Sequence, residues 1–339
     1  MKHMSKNGYQ LRPATMNDLE ITVEMFNQWS SQALGMDKFT LAESAHEWNT
    51  PGFDLETDTR LAFKQDGKLS GYYEVWDLNE PHVRLHCWGC IHPQHSGNGL
   101  GPQLVKWAEK RACQAVEKAP AEARVVLVGH ALSSDESAVR RYQDAGFELI
   151  RHSLRMVIHL NGKAFAPVWS ENINIRTMDK GQDDIKLVQA VREAFRDHWG
   201  YVESPFDDEL ARWQHLMETH EDFDPSLWFL AMDGPKIAGF SLCYPKIDDD
   251  PDMAWVGSLG VRRPWRRRGL ALALLNHSFN VLSEFGKNKV GLAVDANSLT
   301  GATRLYEKAG MRSDPQWKLS QYEKELRAGK DLSTQDIGN

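Results

Sequence analysis

Apolar and polar positions follow two rhythms along this chain, and both rhythms occur twice. Tyr9-Gln10-Leu11-Arg12-Pro13-Ala14 alternates like a short strand, as does Ile173-Asn174-Ile175-Arg176-Thr177-Met178. Each is followed by apolar residues at helical spacing. Further on, Leu61-Ala62-Phe63 and Leu69-Ser70-Gly71 flank Asp66-Gly67, and Phe229-Leu230-Ala231 and Ile237-Ala238-Gly239 flank Asp233-Gly234. Two apolar runs around Asp-Gly predict a β-hairpin, because that pair accepts the positive φ of a tight turn. A glycine turn opening a helix comes next in each half, at Gly97 to Gly101 and at Gly269. Finally Tyr142-Gln143-Asp144-Ala145-Gly146-Phe147 is answered by Tyr306-Glu307-Lys308-Ala309-Gly310-Met311.

Matched features lie about 165 residues apart, so the chain reads as a duplication. Each half runs strand, helices, hairpin, strand, glycine turn, helix, strand, helix, strand, which predicts an α/β (α+β layered) domain. The domains are expected over residues 9–160 and 173–326. Between them, about Asn161 to Asn172, Asn-Gly, Pro and polar residues break the pattern. Beyond Leu326 the chain turns polar and is expected to fray.

Composition narrows the function. A chain of 339 residues suits two domains, and 41% apolar residues, with 12 Trp and 13 Phe, can fill two interiors. A formal net charge of -7 argues against a protein that coats nucleic acid. No apolar run approaches the roughly 18–20 residues of a membrane helix. The start, Met1 to Gly8, lacks the apolar stretch of a secretory signal and is expected to be a short disordered lead. Four cysteines, Cys87, Cys90, Cys113 and Cys243, are too scattered for a disulfide framework, so a reducing cytoplasm is expected.

The most informative stretch runs from Gly257 to Leu275. An apolar strand ends at Val261, a basic loop follows, and a helix is expected from Gly269 to about Phe285. The start of such a helix exposes unpaired backbone N–H groups and the positive end of the helix dipole. Small residues at Gly269 and Ala271 let an anion approach that backbone. Five arginines within seven positions, Arg262 to Arg268, add a field suited to phosphates. Taken alone, the stretch reads equally as solvated surface with a turn glycine. An RNA contact has no aromatic sheet motif or zinc ligand set to support it.

Arg266-Arg267-Arg268-Gly269-Leu270-Ala271 resembles the signature of the GNAT superfamily of N-acetyltransferases: Arg or Gln, two variable residues, Gly, one variable residue, then Gly or Ala. Downstream, Asn297 precedes Tyr306 by nine residues, and Leu305-Tyr306-Glu307-Lys308-Ala309-Gly310-Met311 is similar to the family's second motif, with Met311 where Phe is commoner. The resemblance covers residues 173 to 325. In the other half, Ser96-Gly97-Asn98-Gly99-Leu100-Gly101 keeps the glycines, but Ser96 stands in the Arg or Gln place and Ser133 in the Asn place. Backbone amides could still bind there, while catalysis is put in doubt. The tandem arrangement is similar to that of mycothiol synthase, in which the C-terminal half works, an analogy of architecture and not of substrate.

The resemblance implies two GNAT-like domains, each a mixed sheet flanked by helices, with acetyl-CoA as co-substrate and an amine-bearing small molecule or peptide as acceptor. Loop amides of residues 266–271 would hold the pyrophosphate, with Ser96, Gly97, Asn98, Gly99 and Gly101 as the weaker counterpart. A backbone N–H of Leu259, Gly260 or Val261 would face the acetyl oxygen. Tyr306 takes the general-acid place, since a phenol of pKa about 10 can protonate a thiolate; the other reading is a tyrosine packed against the loop's helix. Asn297 would hold the pantetheine arm or simply shape its turn. No acid lies between Ala254 and Val261, and the run Asp248-Asp249-Asp250-Pro251-Asp252 reads as a solvated loop, so no base is assigned. His198, Trp199 and Tyr201 are candidate acceptor contacts, or else core aromatics. His86, Cys87, Cys90 and His92 lack a second ligand pair at zinc spacing, so no metal is expected. A non-catalytic acyl-CoA-binding or scaffold protein is the rival of another class. The oligomeric state is left open, and no nucleic acid or membrane partner is expected.

Overall fold

The structure, a computed structural model, describes residues 8–247 and 250–336. Residues 1–7 of the expected lead, and Asp248 and Asp249 of the acidic run, lie outside them.

In chain order the first half forms β1 (Gln10–Arg12), α1 (Leu19–Leu34), α2 (Leu41–Trp48), α3 (Leu55–Asp58), β2 (Thr59–Phe63), β3 (Leu69–Trp76), β4 (Arg84–Ile91), α4 (Leu100–Ala115), β5 (Val125–Leu132), α5 (Glu136–Asp144) and β6 (Glu148–His159). The second half repeats the order with β7 (Ile173–Thr177), α6 (Asp184–Phe195), α7 (Phe206–Thr219), β8 (Trp228–Asp233), β9 (Lys236–Tyr244), β10 (Met253–Val261), α8 (Leu270–Glu284), β11 (Lys289–Asp295), α9 (Ala302–Lys308) and β12 (Arg312–Arg327).

The repetition extends to local chemistry. Where β1 turns into α1, Arg12 donates two hydrogen bonds to Asp18, at 2.6 and 2.8 Å. Where β7 turns into α6, Arg176 holds Asp183 with bonds of 2.5 and 2.8 Å. The arginine hydrogen bond lowers Asp18 to about 2 and shifts Asp183 the same way. Both hairpins turn on a left-handed glycine, Gly67 at φ 80° and Gly234 at φ 55°. A register shift recurs too, between Ala62 and Phe63 in one hairpin and Ala231 and Met232 in the other.

Two compact units form, and they do not follow the sequence halves. One runs to His152 and takes in Trp317–Leu332; the other is Ser153–Gln316 with the segment from Ser333. In the first the strand order is β1-β2-β3-β4-β5-β12, in the second β7-β8-β9-β10-β11-β6. Thus Leu319–Arg327 of β12 pairs antiparallel with β5. In exchange, Ser153–His159 of β6 pairs antiparallel with β11. Each half gives its final strand to the other half's sheet.

Helices cover both faces of the second unit's sheet. Leu270, Leu274 and Phe279 of α8 pack with Phe229, Val256 and Leu292 on one face, and Leu187 and Val191 of α6 pack with Trp228, Leu230 and Phe240 on the other. Among the described residues no helix is long and apolar enough to cross a membrane.

Among the described residues the expectation of a frayed tail is corrected; residues 337–339 lie outside them. Arg327 donates to the carbonyl oxygens of Ala123 and Val116 at 3.0 Å. The Lys330 N–H bonds Glu122 O at 2.7 Å, and Lys330 O accepts from Arg124 N–H at 2.8 Å. A Cβ at Gly329 would lie 2.4 Å from Glu122 O, so only glycine permits that approach. Polar composition suggested solvent, but the backbone of this segment has partners, and composition does not report backbone pairing.

Candidate active site

The parallel pairing of β10 with β11 covers only Met253↔Lys289 to Trp255↔Gly291, although β10 continues to Val261 and β11 to Asp295. A bulge between Val256 and Ser258 bends β10 where the two strands part. Gly257 and Ala293 are exposed there, although Val256, Leu292 and Val294 beside them are buried. Such exposure marks an open slot lined by strand backbone. A Cβ on Gly260 would lie 2.3 Å from Phe240 Cζ, so glycine is needed where β10 crosses that ring.

At the end of β10 the chain turns through Arg263–Trp265 and enters α8. Arg267 at φ 61° and Gly269 at φ 82° are both left-handed. No side chain caps α8 at Gly269, so the first-turn N–H groups are left for an anion. The expected five-arginine field narrows to two. Arg262 donates to Glu193 at 2.7 Å and to Ile237 O at 2.9 Å. Arg263 and Arg266 both engage Asp197, and Arg266 also donates to Val261 O and Ala194 O at 2.9 Å. These three tie the loop to the end of α6. Arg267 and Arg268 are exposed and make no ion pair among the described residues. A non-glycine residue in the left-handed region is costly, and such strain gathers at functional loops.

Tyr306 sits on α9 at 8% exposure, within the core beneath α8. Its hydroxyl has no hydrogen-bond partner among the described residues, and burial pushes its pKa up to about 12. It therefore carries its proton throughout the working pH range. The Asn297 N–H donates to Asp295 Oδ1 at 2.9 Å, which fixes the turn after β11.

His198, Trp199 and Tyr201 all lie on the connection that follows α6. His198 packs against Phe195 with centroids 4.4 Å apart. Burial and then Arg266 lower its pKa, while Asp197 and Asp295 act on it in the opposite sense. That set of neighbours places the connection beside the loop and the end of β11. Sequence reasoning missed Asp197, 2% exposed and lowered to about 2 by hydrogen bonds from Arg263 and Arg266. It directly precedes His198 in the chain, but its partners lie 66 and 69 residues away.

The counterpart in the first unit keeps the backbone and fills the space. β4 pairs with β5 from Arg84↔Val126 to Cys87↔Gly129 and then parts from it, without a bulge against β3. Gly97 at φ 79° and Gly99 at φ 74° reproduce the left-handed pair of the other loop. Here Arg141, 9% exposed, donates to Gly89 O at 3.1 Å and lies against Gly101, where a Cβ would come 3.2 Å from its Cδ. Tyr142 covers Gly129, stacks on Tyr322 at 5.5 Å and bonds Cys87 O at 3.4 Å. Gly129 is buried where Ala293 is exposed.

A mixed sheet parting beside a glycine-started helix, built twice in one chain, defines a tandem acyl-CoA-dependent transferase fold. The chain belongs to the acetyltransferase (GNAT) family, whose profile matches residues 23–147 and again 188–311. It is an acyltransferase with acetyl-CoA as donor. A GCN5-related N-acetyltransferase from Sphaerobacter thermophilus is 34% identical, with a TM-score of 0.75 over 97% of this chain and 99% of that one. A mycothiol acetyltransferase of Streptomyces griseus is 28% identical over 72% of this chain and 74% of its own. A tandem GNAT protein from the clavulanic acid biosynthesis pathway shares the fold, with a TM-score of 0.67 at 11% identity over 95% of this chain and 100% of its own.

Proposed function

We propose that the second unit transfers acetyl from acetyl-CoA to a primary amine of a small molecule or peptide, within a ternary complex. Three observations support this reading: β10 and β11 part where Gly257 and Ala293 are exposed, α8 starts uncapped at Gly269, and the Tyr306 hydroxyl has no hydrogen-bond partner among the described residues. The loop of residues 266–271 holds the pyrophosphate through its amides, with Arg267 and Arg268 supplying charge. The acceptor nitrogen attacks the thioester carbonyl, forming C–N as the carbonyl pair moves to oxygen. A backbone N–H from Leu259 to Val261 stabilises that oxyanion. Collapse breaks C–S, Tyr306 protonates the departing thiolate, and the amine's surplus proton passes to water, from which the Tyr306 phenolate takes a proton back. Holding both reactants in one cleft supplies much of the rate by proximity. The mycothiol acetyltransferase relatives favour a small-molecule acceptor over a peptide.

One experiment tests this. Acetyl-CoA is titrated calorimetrically into the wild type, Gly269→Glu and Tyr306→Phe. Thiol release is then followed with glucosamine, spermidine, phenethylamine and a lysyl dipeptide as acceptors. Expected are saturable binding lost in Gly269→Glu, and binding kept in Tyr306→Phe with turnover down about 100-fold. Binding that survives Gly269→Glu, or full turnover in Tyr306→Phe, would sink the assignment.

A further inference from the structure

The connection after α6 has no helix or strand of its own between Phe195 and Phe206. A loop of that length is mobile unless something holds it. One side is tied to the pyrophosphate loop, through Asp197 to Arg263 and Arg266. The other side is tied by the chain's last described residues. The Gly200 N–H donates to Thr334 O at 2.8 Å, and the Thr334 N–H donates to Tyr201 O at 2.9 Å. Thr334 Oγ1 donates to Arg196 O at 3.0 Å, and the Trp199 indole N–H donates to Gln335 Oε1 at 2.9 Å. Ser333 is buried at 8% exposure. These bonds grip a turn made by Gly200 at φ 76°.

We propose that Ser333–Gln335 is a strap that shapes the acceptor side of the active site, with Thr334 and Gln335 as positioning residues for the acceptor amine. This rests on the assignment of the second unit as the transferase site. The strap touches Arg196, Trp199, Gly200 and Tyr201, so it orients Trp199 and Tyr201, while the cofactor side has its own anchor in Asp197. Separate anchors for Asp197 and for the turn at Gly200 predict separable effects. Losing the strap weakens acceptor binding in ground state and transition state alike, which raises KM and spares kcat. Acetyl-CoA affinity stays, because the bonds from Asp197 to the arginines are untouched.

The test compares the wild type, a variant ending at Leu332, Gln335→Leu and Gln335→Glu, the last keeping an oxygen for the Trp199 indole. The best acceptor from the four amines above is used. The truncation is expected to raise acceptor KM about tenfold, with kcat within about threefold and acetyl-CoA Kd within about twofold. Gln335→Leu should fall between, and Gln335→Glu should return to the wild type. Hydrogen exchange at the Gly200 amide should speed up in the truncation, since its acceptor, Thr334 O, is gone. Unchanged acceptor KM, or a fall in kcat at constant KM, overturns the proposal. A wild type that binds acetyl-CoA but acetylates none of the amines counts against the functional assignment. Exchange then decides the strap alone, and an unchanged Gly200 rate overturns it.

Discussion

Asp197 shows how one carboxylate can serve a loop it does not belong to. It is 2% exposed, and its hydrogen bonds from Arg263 and Arg266 lower it to about 2, against an ordinary value near 3.9. A carboxyl depressed on folding contributes stability that is fully present above about pH 4 and lost as pH falls through about 2. Asp197→Asn should therefore lower stability by about 2 kcal/mol at pH 7, and the gap to the wild type should close towards pH 2. Urea midpoints at the two pH values check this; an unchanged gap at pH 2 would refute it. Acetyl-CoA affinity should fall in the same variant, because Arg266 loses the partner that holds it against Val261 O and Ala194 O. Tyr306 behaves with the opposite sign: burial raises its pKa, so it keeps its proton and gives no basic limb below about pH 11.

At the scale of elements, the repeated loop separates backbone shape from site. Gly97 and Gly99 reproduce the left-handed turn of Arg267 and Gly269, yet α5 sets Arg141 against Gly101 and Tyr142 over Gly129, which is buried where its counterpart Ala293 is exposed. The wild type should therefore bind one acetyl-CoA per chain, and Gly99→Glu should leave that stoichiometry unchanged. Calorimetry giving two sites, one of them lost in Gly99→Glu, would refute the filled cleft. The hairpins, the glycine turn and the strand into α8 were legible because each is written in adjacent residues: alternation, Asp-Gly, a glycine before a helical period. Asp197 was not, since its value lies in ion pairs closed far along the chain. Nor was the filling of the first cleft, because Arg141 reads in sequence as one more exposed helix residue. The Trp199–Gln335 bond spans 136 residues, and nothing local announces it.

At the scale of the molecule, the exchange of final strands was invisible for the same reason. The order of elements ends each half in a strand and is silent on which neighbour that strand takes. Residues 9–160 alone would leave β5 without its partner, and residues 173–326 alone would leave β11 bare. Unpaired central edges invite association. Each fragment expressed singly should be insoluble or oligomeric by size-exclusion chromatography, whereas the full chain should unfold in one cooperative calorimetric transition. A monomeric, folded single fragment would contradict this.

The exchange also sets an order of events at the ribosome. β5 ends at Leu132 and its partner begins pairing at Leu319. About 190 residues must therefore be translated before the first sheet can close, roughly 10–40 s at ordinary elongation rates. The first half cannot finish folding as it emerges. It waits as an open-edged nascent domain until β12, a strand of the other half, arrives to complete its sheet.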